Sequence, residues 1–315
     1  MKKYRPVFLV ACTVVALSLI GYMLLRDAHF PILQPSGDIA SQEANLLILA
    51  FGLMMLVVVP VFVMLGVFAW KYRAGNTKKQ KYTPEWHENN RLELLWWGIP
   101  IILIIILGIV SVISTHKLDP YRPIDSDKKA LEVQVVALQW KWLFIYPDLG
   151  VATVNTLPVP VDTPIHFSLS ADAPMSAFWV PDLGSQIYTM NGMSSELNLI
   201  ADRTGEFPGY NTNINGSGYS DMKFTVYSKT QHDFDNWVKS AYASPHMMDE
   251  TELARITKPG TMQPTEYMLM DTKLYDKVVM KYMKGMMPSM DGESGNDSHG
   301  SHEHDGYNMP TMEGM

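Results

Sequence analysis

Charge is missing from three long runs near the start of this chain. Residues 6–25, 44–70 and 94–115 hold 20, 27 and 22 consecutive uncharged positions. The hydrocarbon core of a bilayer is about 30 Å thick and takes about 20 helical residues to cross, so each run is long enough to span. A buried core helix is the bland reading of such a run. It suits residues 44–70 poorly, because helices of soluble cores rarely stay uncharged that long. A membrane protein is therefore expected, with a transmembrane helical hairpin over residues 40–116. An apolar segment in residues 1–28 precedes it.

Basic residues orient the spans. The segment between the second and third runs holds Lys71, Arg73, Lys78, Lys79, Lys81 and Arg91 against only Glu85 and Glu88. Such a bias marks the cytoplasmic side. The N-terminal Met-Lys-Lys-Tyr-Arg is basic too and belongs on the same side. Everything after about residue 116 then lies outside. The first run also fits a cleaved signal peptide, since a basic start and an apolar stretch serve both roles. No small-x-small cleavage pattern closes it, and an uncleaved anchor is the expectation. Leu9-Val10-Ala11-Cys12 has a lipobox-like look, but only about five apolar residues precede it, short of a signal core of roughly 7–15.

Past residue 130 the pattern turns to short alternating runs. Residues 131–136, 165–169, 196–200 and 222–227 each alternate apolar with polar and are separated by Pro, Gly and Asp. Such spacing describes an antiparallel sandwich or barrel over residues 128–228. From about Gln231 the pattern turns helical: Phe234, Trp237, Val238 and Ala241 fall on one face. A second helical stretch runs from Leu274 to Met283, after a loop holding Pro259 and Pro264, so residues 229–285 read as a helical arm. The tail, residues 286–315, is rich in Gly, Ser, Asp, His and Met, a composition that forms no core.

Composition excludes several functions. A formal net charge of −7 argues against nucleic-acid binding, which usually needs a basic surface. The one cysteine, Cys12, lies inside the first apolar run. An internal disulfide is impossible, and so is any site that needs two thiolates.

Three motifs, in order and on this topology, resemble subunit II of the haem-copper oxidases over roughly residues 30–285. The first is Gln139-Trp140-Lys141-Trp142, similar to that family's aromatic Gln-Trp-x-Trp segment. The second is Ser176-Ala177-Phe178-Trp179-Val180-Pro181-Asp182-Leu183-Gly184, which resembles His-Ser-Phe-x-x-Pro-x-Leu-Gly. The third, Asn215-Gly216-Ser217-Gly218-Tyr219-Ser220-Asp221-Met222, matches the copper loop Cys-Gly-x-x-His-Ser-x-Met in length and in its Gly and Met. Singly, each reads as a core tryptophan pair, a turn or a glycine-rich loop. The resemblance implies a cupredoxin-like exported domain.

The departures are as informative as the matches. The resemblance implies ligands of two His, two Cys, a Met and a backbone carbonyl in copper-bearing relatives. Here Ser176 and Tyr219 stand at the His positions, Asn211 and Asn215 at the Cys positions, and Asn213 at the carbonyl. Only Met222 keeps a ligand type. Copper held between thiolates needs soft sulfur, which Asn and Ser do not supply. The resemblance is thus to the quinol oxidases, whose donor arrives through the membrane at another subunit. It implies a non-redox subunit of a proton-pumping complex in a bacterial plasma membrane. Haems and copper would sit in the partner catalytic subunit I, with other small subunits and lipids around it, and cytochrome c would have no part.

Glu93, seven residues before Pro100 at the cytoplasmic start of the third run, matches a family glutamate at the entrance of a proton pathway. The bland alternative is a carboxylate favoured by the positive end of a helix. In the tail, His299, His302 and His304 lie among Met286, Met287, Met290, Met309, Met312 and Met315. These donors suit soft or borderline metals, although nothing preorganises them, and a solvated tail is preferred. They support one alternative of a different class, a membrane-tethered copper carrier, in which the tryptophan motifs and Glu93 have no purpose.

Overall fold

The computed structural model describes residues 19–20, 23, 33–73 and 89–283. Most of the first apolar run, the basic residues Lys78, Lys79 and Lys81, and the tail with His299, His302 and His304 lie outside the described residues. Two long helices open the described chain, α1 (Asp38–Lys71) and α2 (Asn90–Lys117). At 1.5 Å per residue they run about 51 and 42 Å, more than a bilayer core needs. In α1 only Ala40 and Ala44 are buried, and in α2 nothing is. Phe62 and Ile104 are each 68% exposed, so these apolar side chains are left largely uncovered by the described residues. Asn89 caps α2, its Oδ1 accepting from the backbone N–H groups of Arg91 and Leu92 at 3.2 Å each.

Both helices meet the β-domain at one end. The Ser36 N–H donates to Asp182 O at 2.8 Å and Ser36 O accepts from the Asp202 N–H at 2.9 Å. Arg203 adds two bonds to Ser36 Oγ, at 2.9 and 2.6 Å. A Cβ on Gly37 would come within 2.4 Å of Ile200 O, so only glycine lets the chain pass this close. After α2, Pro120 O accepts from Asn198 N at 3.2 Å and from Asn198 Nδ2 at 3.0 Å. The ends bearing Lys71, Arg73 and Arg91 therefore lie at the far end of the hairpin from the domain.

The domain is a two-sheet sandwich. Its strands are β1 (Leu131–Leu138), β2 (Lys141–Tyr146), β3 (Val151–Val154), β4 (Thr156–Pro160), β5 (Ile165–Ala171), β6 (Ser176–Trp179), β7 (Ile187–Thr189), β8 (Ser195–Leu199), β9 (Gly205–Asn211), β10 (Lys223–Lys229), β11 (Met247–Met248) and β12 (Thr265–Leu269). One sheet has the order β11-β12-β3-β2-β1-β5-β8, the other β4-β10-β9-β6-β7. The sheets are mixed rather than purely antiparallel: β1 runs parallel to β5, β4 to β10, and β11 to β12. Alternation reports which face of a strand is buried and is silent on the direction of its neighbour. This is the cupredoxin-like sandwich the motifs implied. Between the sheets pack Trp142, Phe144, Phe167, Phe178 and Phe224, with Phe178 and Phe224 stacked 5.0 Å apart.

The arm is helical, with α3 (Gln231–Tyr242), α4 (Glu250–Ile256) and α5 (Leu274–Met283). Thr230 caps α3, and Phe234, Trp237 and Ala241 are its buried face. The arm also supplies β11 and β12 to the larger sheet. A second core forms beneath it from Met248, Ile256, Tyr267, Leu274, Tyr275 and Val278 against the outer face of that sheet.

Candidate functional site

The loop between β9 and β10 carries most of the positions matched to copper ligands, and the fold closes it tightly. The Asn211 N–H donates to Met222 O at 3.1 Å, joining the loop's two ends. The Asn211 side chain staples it to β6: Oδ1 accepts from Ala177 N at 2.9 Å and Asn213 N at 3.1 Å, while Nδ2 donates to Asn213 O at 2.9 Å. Asn215 sits at the centre. Its Nδ2 donates to Ser176 Oγ at 2.8 Å and faces Met222 Sδ at 3.4 Å. Asn213 reaches out to Met175 O at 2.7 Å.

Ser176, Asn211, Asn213, Asn215 and Met222 are thus brought together, and Tyr219 is not. Ser176, Asn211, Asn215 and Met222 are buried, whereas Tyr219 is 37% exposed on a 3-10 turn, Tyr219–Asp221. The clustered side chains are all neutral. A buried amide or hydroxyl is stable only when hydrogen-bonded, and here the polar side chains largely satisfy one another. Asn215 Oδ1 is the exception, buried without a partner. Among the described residues, no three His, Cys, Asp or Glu side chains form a metal-binding group.

The aromatic motif builds the floor. Gln139 and Trp140 form the two-residue turn between β1 and β2, with Trp140 at φ 70°. Its indole lies under the loop, and a Cβ on Gly218 would come within 2.4 Å of it. Trp142, fully buried, meets Phe178 and Phe224 edge-on at 5.4 and 5.7 Å. Lys141 lies between the tryptophans in sequence and is 3% exposed. Its Nζ donates to Lys258 O at 2.9 Å. Desolvation, and then the nearby Arg255 cation, lower its pKa.

Sequence reasoning missed one charged cluster. Asp172, whose side chain is 4% exposed, accepts from Lys281 Nζ at 2.7 Å and from the Tyr282 hydroxyl. The hydrogen bond to Asp172 raises the Lys281 pKa. The pair ties the end of the arm to the loop after β5. The Asp172-Ala173-Pro174 turn carries no signal that would have named this partner 109 residues away. Glu93 lies in the first turn of α2, exposed, at the end of the hairpin far from this domain.

No family model matches the chain. Known proteins do. The cytochrome bo(3) ubiquinol oxidase subunit 2 of Pseudomonas aeruginosa is 40% identical over 305 residues, 94% of this chain and 90% of that one. This chain belongs to the quinol oxidase subunit 2 family. The Pseudomonas putida protein of the same name is 47% identical over 248 residues, 79% of each chain. The periplasmic domain of subunit II of the Bradyrhizobium japonicum cytochrome oxidase aligns at a TM-score of 0.36 and 23% identity, over 38% of this chain and 96% of that one. As a quinol oxidase subunit 2, the chain is one part of a membrane-bound, multi-subunit oxidoreductase of the respiratory chain. A tethered copper carrier is not favoured by these relatives.

Proposed function

We propose that this chain is the non-redox subunit II of a proton-pumping ubiquinol oxidase, supporting its assembly and its supply of protons. The observation that carries the reading is Asn215. Its amide N–H, a donor and not a ligand, is directed at Met222 Sδ and Ser176 Oγ, and so occupies the space between the positions matched to copper ligands. An amide nitrogen, whose lone pair is delocalised into its carbonyl, and hard neutral oxygens do not replace the two thiolates that such a copper ion needs. Without that ion the domain has no path for electrons from a soluble cytochrome, and quinol meets the partner catalytic subunit within the membrane. That subunit holds the haems and copper, and this chain alone does not catalyse.

In this reading residues 40–116 form the membrane hairpin and residues 128–228 the cupredoxin-like domain. Residues 229–285 are the arm, residues 1–28 a signal or anchor, and residues 286–315 a solvated tail. The domain lies on the outer face of the plasma (inner) membrane, and Glu93 stands on the cytoplasmic side as a proton entrance. A carboxylate at membrane depth is a functional candidate by default. The test is purification in detergent through a tag on this chain. The expected result is a haem protein with quinol-driven oxygen uptake and no copper beyond that of the catalytic subunit. Copper held by this chain after chelator washing would overturn the non-redox assignment.

A further inference from the structure

A cavity of about 560 Å³ opens where the hairpin meets the domain, between the start of α1 and the segment following α2. Its charged lining is mixed: Lys117 and Arg122 face Asp38, Glu43, Asp119 and Asp125. A second cleft of about 250 Å³ runs below it between the helices, along Leu46 and Leu49 of α1 and Ser114 of α2. The two cavities share Gln42, Lys117 and Leu118 in their linings, so they adjoin, the upper one charged and the lower one mostly apolar. The change falls at the end of the uncharged runs, residues 44 and 115, where a bilayer's hydrocarbon gives way to its headgroups.

We propose that these adjoining cavities are a binding site for a phospholipid with a primary ammonium headgroup. The phosphate sits at Lys117 and Arg122, the ammonium among the carboxylates, and one acyl chain lies along Leu46 and Leu49. Lys117 makes no ion pair within the described residues, which leaves its ammonium available to a phosphate; Arg122 is only 3.8 Å from Asp125 across an exposed contact. Four carboxylates against two cations disfavour a purely anionic lipid. A primary ammonium can donate three hydrogen bonds to carboxylates, and a quaternary one can donate none. A volume of this size is ordinary for a small-molecule site, and a site at the junction would fasten the domain to the membrane surface.

The inference rests on the outer-face placement of the domain, and its test uses the purified complex. A phosphatidylethanolamine carrying a photoactivatable group at the head of one acyl chain is added to delipidated enzyme. The labelled peptides are then mapped. Labelling within residues 114–125 is expected, with displacement by excess phosphatidylethanolamine but not by phosphatidylcholine, phosphatidylglycerol or soluble phosphoethanolamine. Lys117→Glu lowers that labelling about tenfold or more, the scale of one charge-assisted hydrogen bond, and Lys117→Arg retains it. The proposal is overturned by no labelling of this segment, by equal labelling in Lys117→Glu, or by equal displacement with any of the other three compounds. Quinol oxidase turnover of the same preparation reports on the function separately, so the two readings fail independently.

Discussion

The hairpin and the sandwich are both rich in apolar side chains and use them in opposite ways. In the sandwich, Trp142, Phe144 and Tyr146 are fully buried between or beside strands of the same chain. In α2, Leu94 and Ile104 are 76% and 68% exposed, and no residue of that helix is buried. The sandwich carries its own stabilising contacts, whereas the hairpin leaves most of its apolar surface uncovered by the described residues. Exposed apolar surface on this scale marks a membrane or protein interface. The two regions meet through short-range backbone bonds at Ser36 and Pro120, so the sandwich is held close to the membrane.

The all-or-none test of this contrast is sidedness. In a background lacking Cys12, Lys79→Cys and Ser217→Cys are exposed in intact cells to an impermeant thiol reagent. Labelling is expected at position 217 and not at 79. The opposite result inverts the orientation while leaving the hairpin geometry intact.

Next in size is the difference in core dependence. Trp142→Ala removes a side chain packed edge-on against Phe178 and Phe224, at a cost of about 3–5 kcal/mol. Ile104→Ala, in the exposed face of α2, leaves the unfolding of the sandwich unchanged. Thermal unfolding of the detergent-solubilised chain, followed by near-ultraviolet circular dichroism, compares them. Equal losses would mean that the two regions unfold as one cooperative unit.

How far these regions were legible in the sequence follows from the same physics. Spans are read from composition, because lipid demands an unbroken apolar run. The β-strands are read from alternation, and β1, β5, β8 and β10 lie where alternation put them. Strand direction was not legible, since neither β1 nor β5 encodes its partner. The arm's β12 was hidden by Pro259 and Pro264, which made its surroundings read as loop, although Glu266, Tyr267 and Met268 extend the sheet beside β3. At the candidate site, the motif supplied the positions. The tight seat of Gly218 on Trp140 could have been suspected from the Gly-x-Gly spacing, which often marks a close backbone approach. The tie between Asp172 and Lys281 joins residues whose meeting depends on the whole fold.

That tie offers a smaller perturbation of the sandwich. Asp172→Ala leaves Lys281 and Tyr282 without their acceptor; because the Lys281 side chain is 55% exposed and can turn to water, the loss is about 0.5–1.5 kcal/mol. The loss should appear first as faster proteolysis after residue 270, because α5 is released before the sandwich unfolds. Unaltered cleavage there would mean that the second core alone holds the arm.

On the hairpin side, Glu93→Ala should slow turnover without loss of haem, since alanine cannot exchange protons at the entrance of a pathway. Glu93→Asp keeps a titrating group and should lose less. If Glu93 only favours the positive end of α2, alanine costs a few tenths to about 1 kcal/mol of helix stability and leaves turnover alone. Oxygen consumption per haem in the purified complex, over a range of pH, decides between them.

The smallest expected effect lies on the arm, where a charge pair covers the second core. Arg255 holds Glu252 in a fork, with Nε and one terminal nitrogen each 2.7 Å from its oxygens, and the Tyr267 hydroxyl donates to the same carboxylate at 3.1 Å. The Arg255 hydrogen bonds keep the Glu252 pKa below its ordinary 4.5, and burial, then the Glu252 contact, push the Tyr267 hydroxyl up to about 12. A carboxylate whose pKa is depressed by folding stabilises the fold above its unfolded pKa. That contribution is lost as pH falls through the folded value. Glu252→Gln keeps an acceptor for Tyr267 and removes the charge. Because the Arg255 side chain is 59% exposed, solvent screens the pair, and the loss at pH 7 should be about 0.5–1 kcal/mol. Urea unfolding at pH 7 and again below pH 4 measures it. The gap between wild type and variant should close at the lower pH, as wild-type Glu252 protonates, and should narrow in high salt at pH 7. A gap that persists unchanged through both would assign the loss to packing around Tyr267 rather than to the charge.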